Sequence, residues 1–322
     1  MHHVFTAVFE PGFFGSAQVH TAVAVGGLVA IVSAVTGVFT VLRGQSFGGH
    51  ALGDVSAAGG AGALLIGLSP VAGFVGLGIV GAGAMDMIGV RRLRGRDLAT
   101  GIVLGSAIGL SALFLHFTTA TSATTGSVQQ ILFGSIFVTS SDTVLAVVVL
   151  GAVALASLAA VCRPLLLSTV SPEIAAARGV PVRLVGLLYM LALAVSVGLS
   201  SLAIGAVLST ALLIGPAAAA LRVTTSVAWA LVVACLLGLL AVGLGVLLAY
   251  DSYYWGSSHL GLPVSFFIVG IVFVTYLLTG LPAAARAGAG SRGTAPTLAA
   301  AENDKIACMS ATGGHRRQRA RT

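Results

Sequence analysis

Charged side chains are scarce in this chain of 322 residues: Asp, Glu, Lys and Arg make up 8% of it, whereas 57% of its residues are hydrophobic. A soluble domain carries roughly a quarter charged residues. The mean hydropathy is +1.06, and several uncharged runs approach the ~20 residues that a helix needs to cross a bilayer. The shortage of charge therefore excludes a soluble globular protein and predicts an integral membrane protein.

Lysine occurs once, at Lys305 in the stretch ENDKIA. A phosphate-binding loop of the form G-x-x-x-x-G-K-[ST] needs a lysine at the phosphates, and this chain has none in that setting. The metalloprotease pattern H-E-x-x-H is also absent. The chain is therefore not expected to be an enzyme, and any energy input comes from another subunit or from an ion gradient.

Cysteine is also rare, and its three copies, Cys162, Cys235 and Cys308, lie far apart. This spacing indicates neither a disulfide framework nor a thiolate metal site. The first residues, MHHVFTAVFEPGFFGS, lack the basic region that opens a signal peptide. The first apolar segment is therefore expected to remain as a membrane span.

What the chain does contain is a series of apolar segments. They fall at about 21–42, 51–69, 71–90, 98–115, 143–161, 183–201, 202–221, 227–249 and 263–281. The uncharged run 184–221 is long enough for two crossings, with a break expected near 198–205, and the Ser-Pro pair at 69–70 separates the second segment from the third. The sequence predicts an all-α polytopic bundle of about eight to nine transmembrane helices. Segment 51–69 is weakly apolar, and 127–138 is a candidate re-entrant piece.

Arginine marks one side of the predicted membrane. Cytoplasmic loops carry an excess of Lys and Arg, and the loops near 69–70, 116–127, 199–202 and 251–262 hold neither. With nine crossings the N-terminus lies outside and the C-terminus inside. The residues assigned to the cytoplasm are Arg43, Arg91, Arg92, Arg94, Arg96, Arg163, Arg178, Arg183, Arg222 and those of the tail.

Three parts follow from this pattern: an extracytoplasmic N-terminal segment (1–20), a transmembrane domain (21–281) and a basic cytoplasmic tail (283–322). The tail holds seven of the basic residues against Glu302 and Asp304, within a net charge of +7 for the chain. A polybasic tail near anionic lipid explains this charge better than nucleic-acid binding does. The Gly, Ala and Arg content of the tail predicts disorder.

Two ionisable residues interrupt the second apolar segment. His50 and Asp54 stand four residues apart in GHALGDVSAAG, so on a helix their side chains point the same way. Ionisable groups inside a span are rare and usually face the bundle interior or a wet path. Imidazole with carboxylate suits divalent metals such as Zn²⁺ or Mn²⁺. The alternative is a hydrogen-bonded pair that holds two helices together.

Histidine is otherwise concentrated on one predicted side. His2, His3, His20, His116 and His259 fall on or near the extracytoplasmic face, and His315 lies in the tail. The first interpretation is a vestibule that attracts metal ions, with His20, His116 and His259 as its candidates. The second is a set of ordinary polar loop residues.

A short punctuated helix is predicted in a basic loop, in SPEIAAARGVPVR (171–183). Ser171 suits the N-cap, Pro172 the first helical position, Glu173 the positive helix end and Gly179 the C-terminal cap. Such a helix either docks on a partner or is a plain surface element.

Four stretches in a fixed order resemble the membrane permease subunits of the ABC transporters that import zinc and manganese, the ABC-3 family. They are GVFTVLRGQSFGGHALGDVSAAGGAGALLIG (37–67), GRDLATGIVLGSAIGLSALF (95–114), ILFGSIF (131–137) and SPEIAAARGVPVRLVGLLYMLALAVSVGLSSLAIGAVLSTALLIGPAAAALRV (171–223). The family has an Asp-x-x-x-His pair where this chain has His50 and Asp54 in reverse order, and usually an Asp where it has Ser171.

The resemblance implies an ABC importer permease fold and a bacterial plasma membrane location. It also implies a homodimer that works with a separate ATPase subunit and an extracytoplasmic metal-binding protein. His50 and Asp54 would then line the metal path, and Ser171, Pro172, Glu173, Arg178 and Gly179 would dock on the ATPase. Pro216 is a candidate point of bending in the seventh span.

Transported Zn²⁺, favoured by the outer histidines, or Mn²⁺ is then the substrate, and no cofactor is held permanently. Two alternatives stay open. One is an ABC permease for a metal chelate such as a siderophore or haem. The other is a proton-coupled secondary carrier that uses His50, Asp54 and Asp86. A scaffold without transport is least consistent with ionisable groups inside a span.

Overall fold

The structure is a computed structural model, and it describes residues 17–88, 96–122, 131–134, 141–253 and 261–291. All regular secondary structure in these ranges is helical. The helices are α1 (Ala17–Leu42), α2 (Ser46–Leu65), α3 (Pro70–Ile88), α4 (Arg96–Ser122), α5 (Ser141–Val170), α6 (Pro172–Ala177), α7 (Val182–Ile204), α8 (Ala206–Val223), α9 (Val227–Ser252) and α10 (Val264–Ser291). The predicted all-α class is confirmed within these residues.

Seven of the described helices are long and apolar enough to cross a membrane, namely α1, α3, α4, α5, α7, α8 and α9. In α10 the apolar part, Val264–Gly280, is shorter. Helix α2 is not among the seven, and its sequence combines His50 and Asp54 with six glycines or serines in its first fifteen residues. The chain is a multi-pass membrane protein, and the predicted count of eight to nine crossings is not confirmed by this measure.

Helix α7 occupies the centre of the packing. Of its apolar stretch 78% is buried inside the protein, against 11% for α4 at the periphery. It contacts α1, α2, α3, α5 and α8, and Tyr189, Leu193 and Leu199 on it are fully buried. A helix enclosed by five neighbours fixes their mutual positions, so α7 holds α2 and α8 against each other.

Both predicted helix breaks are confirmed. Helix α2 ends at Leu65 and α3 begins at Pro70, and α7 gives way to α8 at Gly205, whose φ is +98°. Glycine adopts this backbone conformation without the steric penalty of a Cβ. A Cβ at Gly205 would also collide with the carbonyl oxygen of Leu132. The described part of the candidate re-entrant piece, 131–134, therefore packs on the α7–α8 break.

The helices run further than hydropathy predicts at several ends. Helix α4 continues to Ser122 beyond the predicted 115, and α5 continues through Pro164 to Val170 beyond the predicted 161. Hydropathy falls where polar residues begin, whereas backbone hydrogen bonding continues past that point.

The contact pattern divides the chain into residues 1–276 and 277–322. Of the second unit the structure describes 277–291, the final part of α10, which reaches into the predicted tail. The other tail residues and the first sixteen residues lie outside the described ranges, so the predictions for His2, His3 and His315 lie there too.

Helices α2 and α3 approach each other most closely at Gly59 and Gly73. A Cβ added at Gly59 would collide with the carbonyl oxygen of Gly73, and one at Gly73 with that of Gly59. Small residues let helix backbones approach closely in this way in membrane proteins. The contact places α2, with its ionisable pair, firmly on α3.

Replacing Gly59 with alanine is expected to destabilise the protein by about 1–3 kcal/mol, the usual effect of overpacking. The matched control is Gly76→Ala on α3, where an added Cβ meets nothing within 4 Å. The measurement is thermal unfolding of the purified protein in detergent. Equal unfolding temperatures for the two variants would contradict the close-approach interpretation.

Candidate metal site and ATPase-facing helix

His50 and Asp54 lie one turn apart near the start of α2. His50 Nε2 and Asp54 Oδ2 are 3.9 Å apart, with 40% of the histidine side chain and 16% of the aspartate side chain exposed. The predicted common face is therefore confirmed. A separation of 3.9 Å is too long for a direct hydrogen bond. Two ligand atoms of a tetrahedral Zn²⁺, with bonds of about 2.1 Å, lie about 3.4 Å apart, so a small side-chain rotation suffices for both groups to hold one ion.

The second ring nitrogen of His50 faces another helix. Nδ1 lies 2.9 Å from Oγ1 of Thr210, a residue of α8 that is 160 positions away in sequence. The sequence analysis missed this contact. Its only sequence signal is a polar side chain inside the uncharged run 184–221, which does not reveal what the side chain faces.

Helices α2, α7 and α8 meet tightly beside the pair. A Cβ at Gly53 would lie 3.3 Å from both Ser209 Oγ and Val197 Cγ1, and 4.0 Å from Ser201 Oγ. Among the described residues, the buried hydroxyls of Ser56 and Ser201 have no hydrogen-bond partner. Such unpaired hydroxyls leave polar capacity next to His50 and Asp54, in a region where the rest of the packing is apolar.

The described residues contain no group of three or more His, Cys, Asp or Glu side chains that could hold a metal ion. One chain therefore offers two such ligands, His50 and Asp54, fewer than the four that a closed Zn²⁺ site uses. The exposure of His50 leaves room for further ligands from outside this part of the chain.

The predicted outer vestibule is not assembled by the described residues. His20 is exposed in the first turn of α1, and His116 on α4 packs edge-on to the neighbouring Phe117 with ring centroids 5.9 Å apart. His259 lies outside the described ranges. A role for these histidines in admitting metal stays a prediction.

The short helix α6 has the caps that the sequence predicts. Ser171 Oγ accepts the N–H of Ile174 at 3.3 Å, Pro172 is the first helical residue, and Glu173 lies in the first turn. At the other end Arg178 is the C-cap and Gly179 follows with φ +77°. The N–H groups of Gly179 and Val180 donate to Ala176 and Ala175, which is the pattern of a Schellman motif.

Helix α6 presents most of its surface to the outside. Ala175 is its buried residue, while Ile174 is 53% exposed and Glu173 and Arg178 are also exposed. A well-capped helix that uses a single alanine to pack on its own chain leaves an apolar residue and two opposite charges available to a partner.

Arg43 connects the end of α5, just before α6, with α1 and α7. Its Nη1 donates to Ser168 Oγ and to Thr169 Oγ1, each at 3.3 Å. Its guanidinium lies 5.0 Å from the ring centroid of Tyr189, whose hydroxyl donates to Thr40 at 3.0 Å. Because α2 begins three residues after Arg43, this cluster ties the base of α6 to the turn that leads to His50.

Pro216 lies inside α8, which is assigned as one continuous helix from Ala206 to Val223. Proline removes one backbone hydrogen bond from a helix interior. Pro216 is buried, and its role as a point of bending stays a prediction.

The architecture and site define the class: a polytopic α-helical membrane protein with an ionisable pair near the start of a helix packed in its bundle and a separate exposed helix between two spans. A family model described as "ABC 3 transport family" matches residues 16–280. The chain belongs to this family, as the resemblance in its sequence predicts.

Several curated relatives cover most of the chain. The "Manganese transport system membrane protein MntC" of Halalkalibacterium halodurans is 31% identical over 219 residues, 68% of this chain and 74% of the relative. The "Manganese import system permease protein ScaB" of Streptococcus parasanguinis is 29% identical over 72% of this chain and 80% of its own length. The "High-affinity zinc uptake system membrane protein ZnuB" of Haemophilus influenzae is 26% identical over 66% and 81%.

The fold has a counterpart among solved structures. "PsaBC from Streptococcus pneumoniae in complex with Fab" superposes with a TM-score of 0.72 at 24% identity, covering 87% of this chain and 95% of the other. At this identity the likeness establishes the fold alone, and it agrees with the predicted ABC importer permease fold.

Proposed function

We propose that this chain is the membrane-spanning permease subunit of an ATP-binding-cassette importer for a divalent transition metal ion. The observation that carries the proposal is the pair on α2, with His50 Nε2 and Asp54 Oδ2 on one face at 3.9 Å. Membership of the ABC 3 transport family supports the transporter class. The bacterial plasma membrane, with the C-terminal tail in the cytoplasm, is the proposed location.

The pair provides what a divalent ion needs to cross an apolar region. A bare ion in a low-dielectric medium is very unfavourable, and polar groups that replace its hydration lower that barrier. Two ligands bind more weakly than a closed set of four, and transport requires binding weak enough for release. The unpaired hydroxyls of Ser56 and Ser201 nearby provide further places for the water that accompanies the ion.

A second copy of this chain is the proposed partner in the membrane, with the metal path between the two copies. The partial exposure of His50 supports a site that opens toward such a partner. Two copies would together offer two imidazoles and two carboxylates, the ligand number of a tetrahedral ion. An extracytoplasmic metal-binding protein would deliver the ion on the opposite side from the ATPase.

The proposed substrate is Zn²⁺ or Mn²⁺. Imidazole suits Zn²⁺ and carboxylate suits Mn²⁺, and this site has one of each. The histidine content of the predicted outer face favours zinc, whereas the names of the relatives with higher identity state manganese. Relatives named for zinc and for chelated iron occur at 26% and 29% identity.

The energy for import would come from a separate ATPase subunit that docks on α6. The exposed residues Glu173, Ile174 and Arg178 would form the contact, and the cluster around Arg43 would carry the movement toward α2. The short connection from Val170 to Pro172 makes α6 a direct continuation of α5, so displacement of α6 is transmitted to a membrane span.

The proposal is tested by reconstituting the chain with its ATPase subunit and binding protein in liposomes and measuring uptake of radiolabelled Zn²⁺ and Mn²⁺. The expected result is uptake of at least one ion that requires ATP and the ATPase. Metal uptake by the chain alone, driven by a proton gradient, would instead establish the secondary carrier. Uptake of a siderophore or haem complex but of neither free ion would establish the chelate permease.

A further inference from the structure

The two ring nitrogens of His50 face two different groups, and this difference deepens the proposed function, on which the inference rests. Nδ1 lies 2.9 Å from the hydroxyl of Thr210 on α8, whereas Nε2 faces Asp54 across 3.9 Å. One nitrogen is therefore engaged in a hydrogen bond, and the other points at the carboxylate without reaching hydrogen-bond distance.

A neutral imidazole carries one proton and coordinates a metal through its other nitrogen. Which nitrogen is free is decided by the hydrogen bond that the opposite one makes. If Nδ1 carries the proton and donates to Thr210, the lone pair of Nε2 is directed toward Asp54. If Thr210 donates to Nδ1 instead, the proton sits on Nε2 and blocks coordination there.

We propose that Thr210 is a positioning residue of the metal site: its Oγ1 accepts the Nδ1–H of His50 and holds Nε2 free to share an ion with Asp54. Threonine suits this task because its β-branched side chain has few rotamers in a helix. The placement of Thr210 depends on the break at Gly205, since α8 begins at Ala206 and brings Thr210 beside α2 within its first turns.

The neighbouring hydroxyl provides a matched comparison. Ser209 Oγ donates to the carbonyl of Ala206 in its own helix at 2.9 Å, although it too lies beside α2 at Gly53. Two adjacent hydroxyls thus differ in whether they reach the imidazole, and the proposal gives only that of Thr210 a role in binding metal.

The first experiment measures metal binding by the detergent-purified complex of this chain with its ATPase subunit. Zn²⁺ affinity is measured by competition with a chromophoric chelator, and Mn²⁺ affinity by electron paramagnetic resonance of the free ion. Thr210→Val, which keeps the shape and removes the hydroxyl, is expected to bind about 10–100-fold more weakly, the usual effect of losing such a partner. Thr210→Ser is expected to stay within about threefold of native affinity because it keeps the hydroxyl, and Ser209→Ala to match the native protein.

The second experiment reads the proton position directly. Solid-state NMR of the metal-free complex, with ¹⁵N-labelled histidine, separates protonated from unprotonated ring nitrogens, and the His50 signal is assigned by its loss in His50→Gln. The expected native state is protonated Nδ1 with unprotonated Nε2. Thr210→Val is expected to move the proton toward Nε2, a change that a merely structural role for Thr210 would not produce.

The outcomes separate the two proposals. If the native complex binds metal through His50 and Asp54 but Thr210→Val keeps native affinity and tautomer, the role of Thr210 is overturned. If replacing His50 and Asp54 leaves binding unchanged, the proposed metal path itself is overturned, whatever Thr210 does. Thr210→Ala provides a second test of the missing hydroxyl if the valine variant fails to assemble.

Discussion

Metal uptake is expected to fall to background in His50→Ala and in Asp54→Ala, while expression and assembly remain intact. Each substitution removes one of the two ligands that a chain contributes, and in a dimer it removes two of four. A desolvated divalent ion then lacks the groups that replace its water, and the barrier to its passage rises steeply. Loss of about 100-fold or more is expected, measured as uptake of radiolabelled Zn²⁺ and Mn²⁺ in cells that also carry the ATPase subunit.

Asp86→Asn is the matched control for these variants. Asp86 lies on α3 and is partly exposed, and it belongs to the proposed pathway only if the chain is a proton-coupled carrier. Retained uptake in Asp86→Asn, together with loss in His50→Ala and Asp54→Ala, supports the metal path. Normal uptake in both site variants would contradict the metal-path role and leave the pair as a structural link between α2 and α8.

The parts of this fold that the sequence predicts are those set by local rules. The i, i+4 spacing of His50 and Asp54 places them on one face wherever the helix goes. The length of the uncharged run requires a break near Gly205, and Ser171 and Gly179 mark the ends of α6 by their capping chemistry. Each of these inferences needs only a few neighbouring residues.

Contacts between distant segments could not be predicted in this way. Nothing in the neighbourhood of Thr210 indicates that it meets His50, and nothing near Gly59 indicates that Gly73 is its partner. Both contacts depend on how α2, α3, α7 and α8 pack, which a hydropathy pattern does not determine because lipid and protein interior are similarly apolar. The weak hydropathy of α2 has the same origin: it carries the ionisable pair and the glycines that allow close packing.

The Arg43 cluster suggests how the two proposed functional regions communicate. Ser168 and Thr169, which accept hydrogen bonds from Arg43, are the last polar side chains of α5 before α6. On the other side of the guanidinium, Tyr189 reaches the enclosed helix α7. Arginine suits this position because its planar group donates in several directions and stacks on an aromatic ring at the same time. A movement of α6 would thus reach both α7 and the turn before α2.

The second large effect is expected at α6 itself, where Glu173→Arg combined with Ile174→Asp should reduce ATP-driven uptake by at least about 10-fold. The pair reverses one exposed charge and places a carboxylate in the exposed apolar position of the proposed docking surface. Helix α6 should survive, because Asp in a first turn is favourable to the helix dipole and the Ser171 cap remains. Metal binding at His50 and Asp54 should be unchanged, since no residue of that site is altered.

Ser171→Asp is the control for this variant, because aspartate caps a helix about as well as serine and restores the residue usual in the family. It is expected to transport at the native rate and to co-purify with the ATPase subunit, whereas the Glu173→Arg/Ile174→Asp variant should lose both properties. Full ATP-driven uptake and normal co-purification in that variant would show that the ATPase docks elsewhere. Loss of uptake with normal co-purification would instead place the role of α6 in transmitting movement, because the partner would still be bound while the path no longer opens.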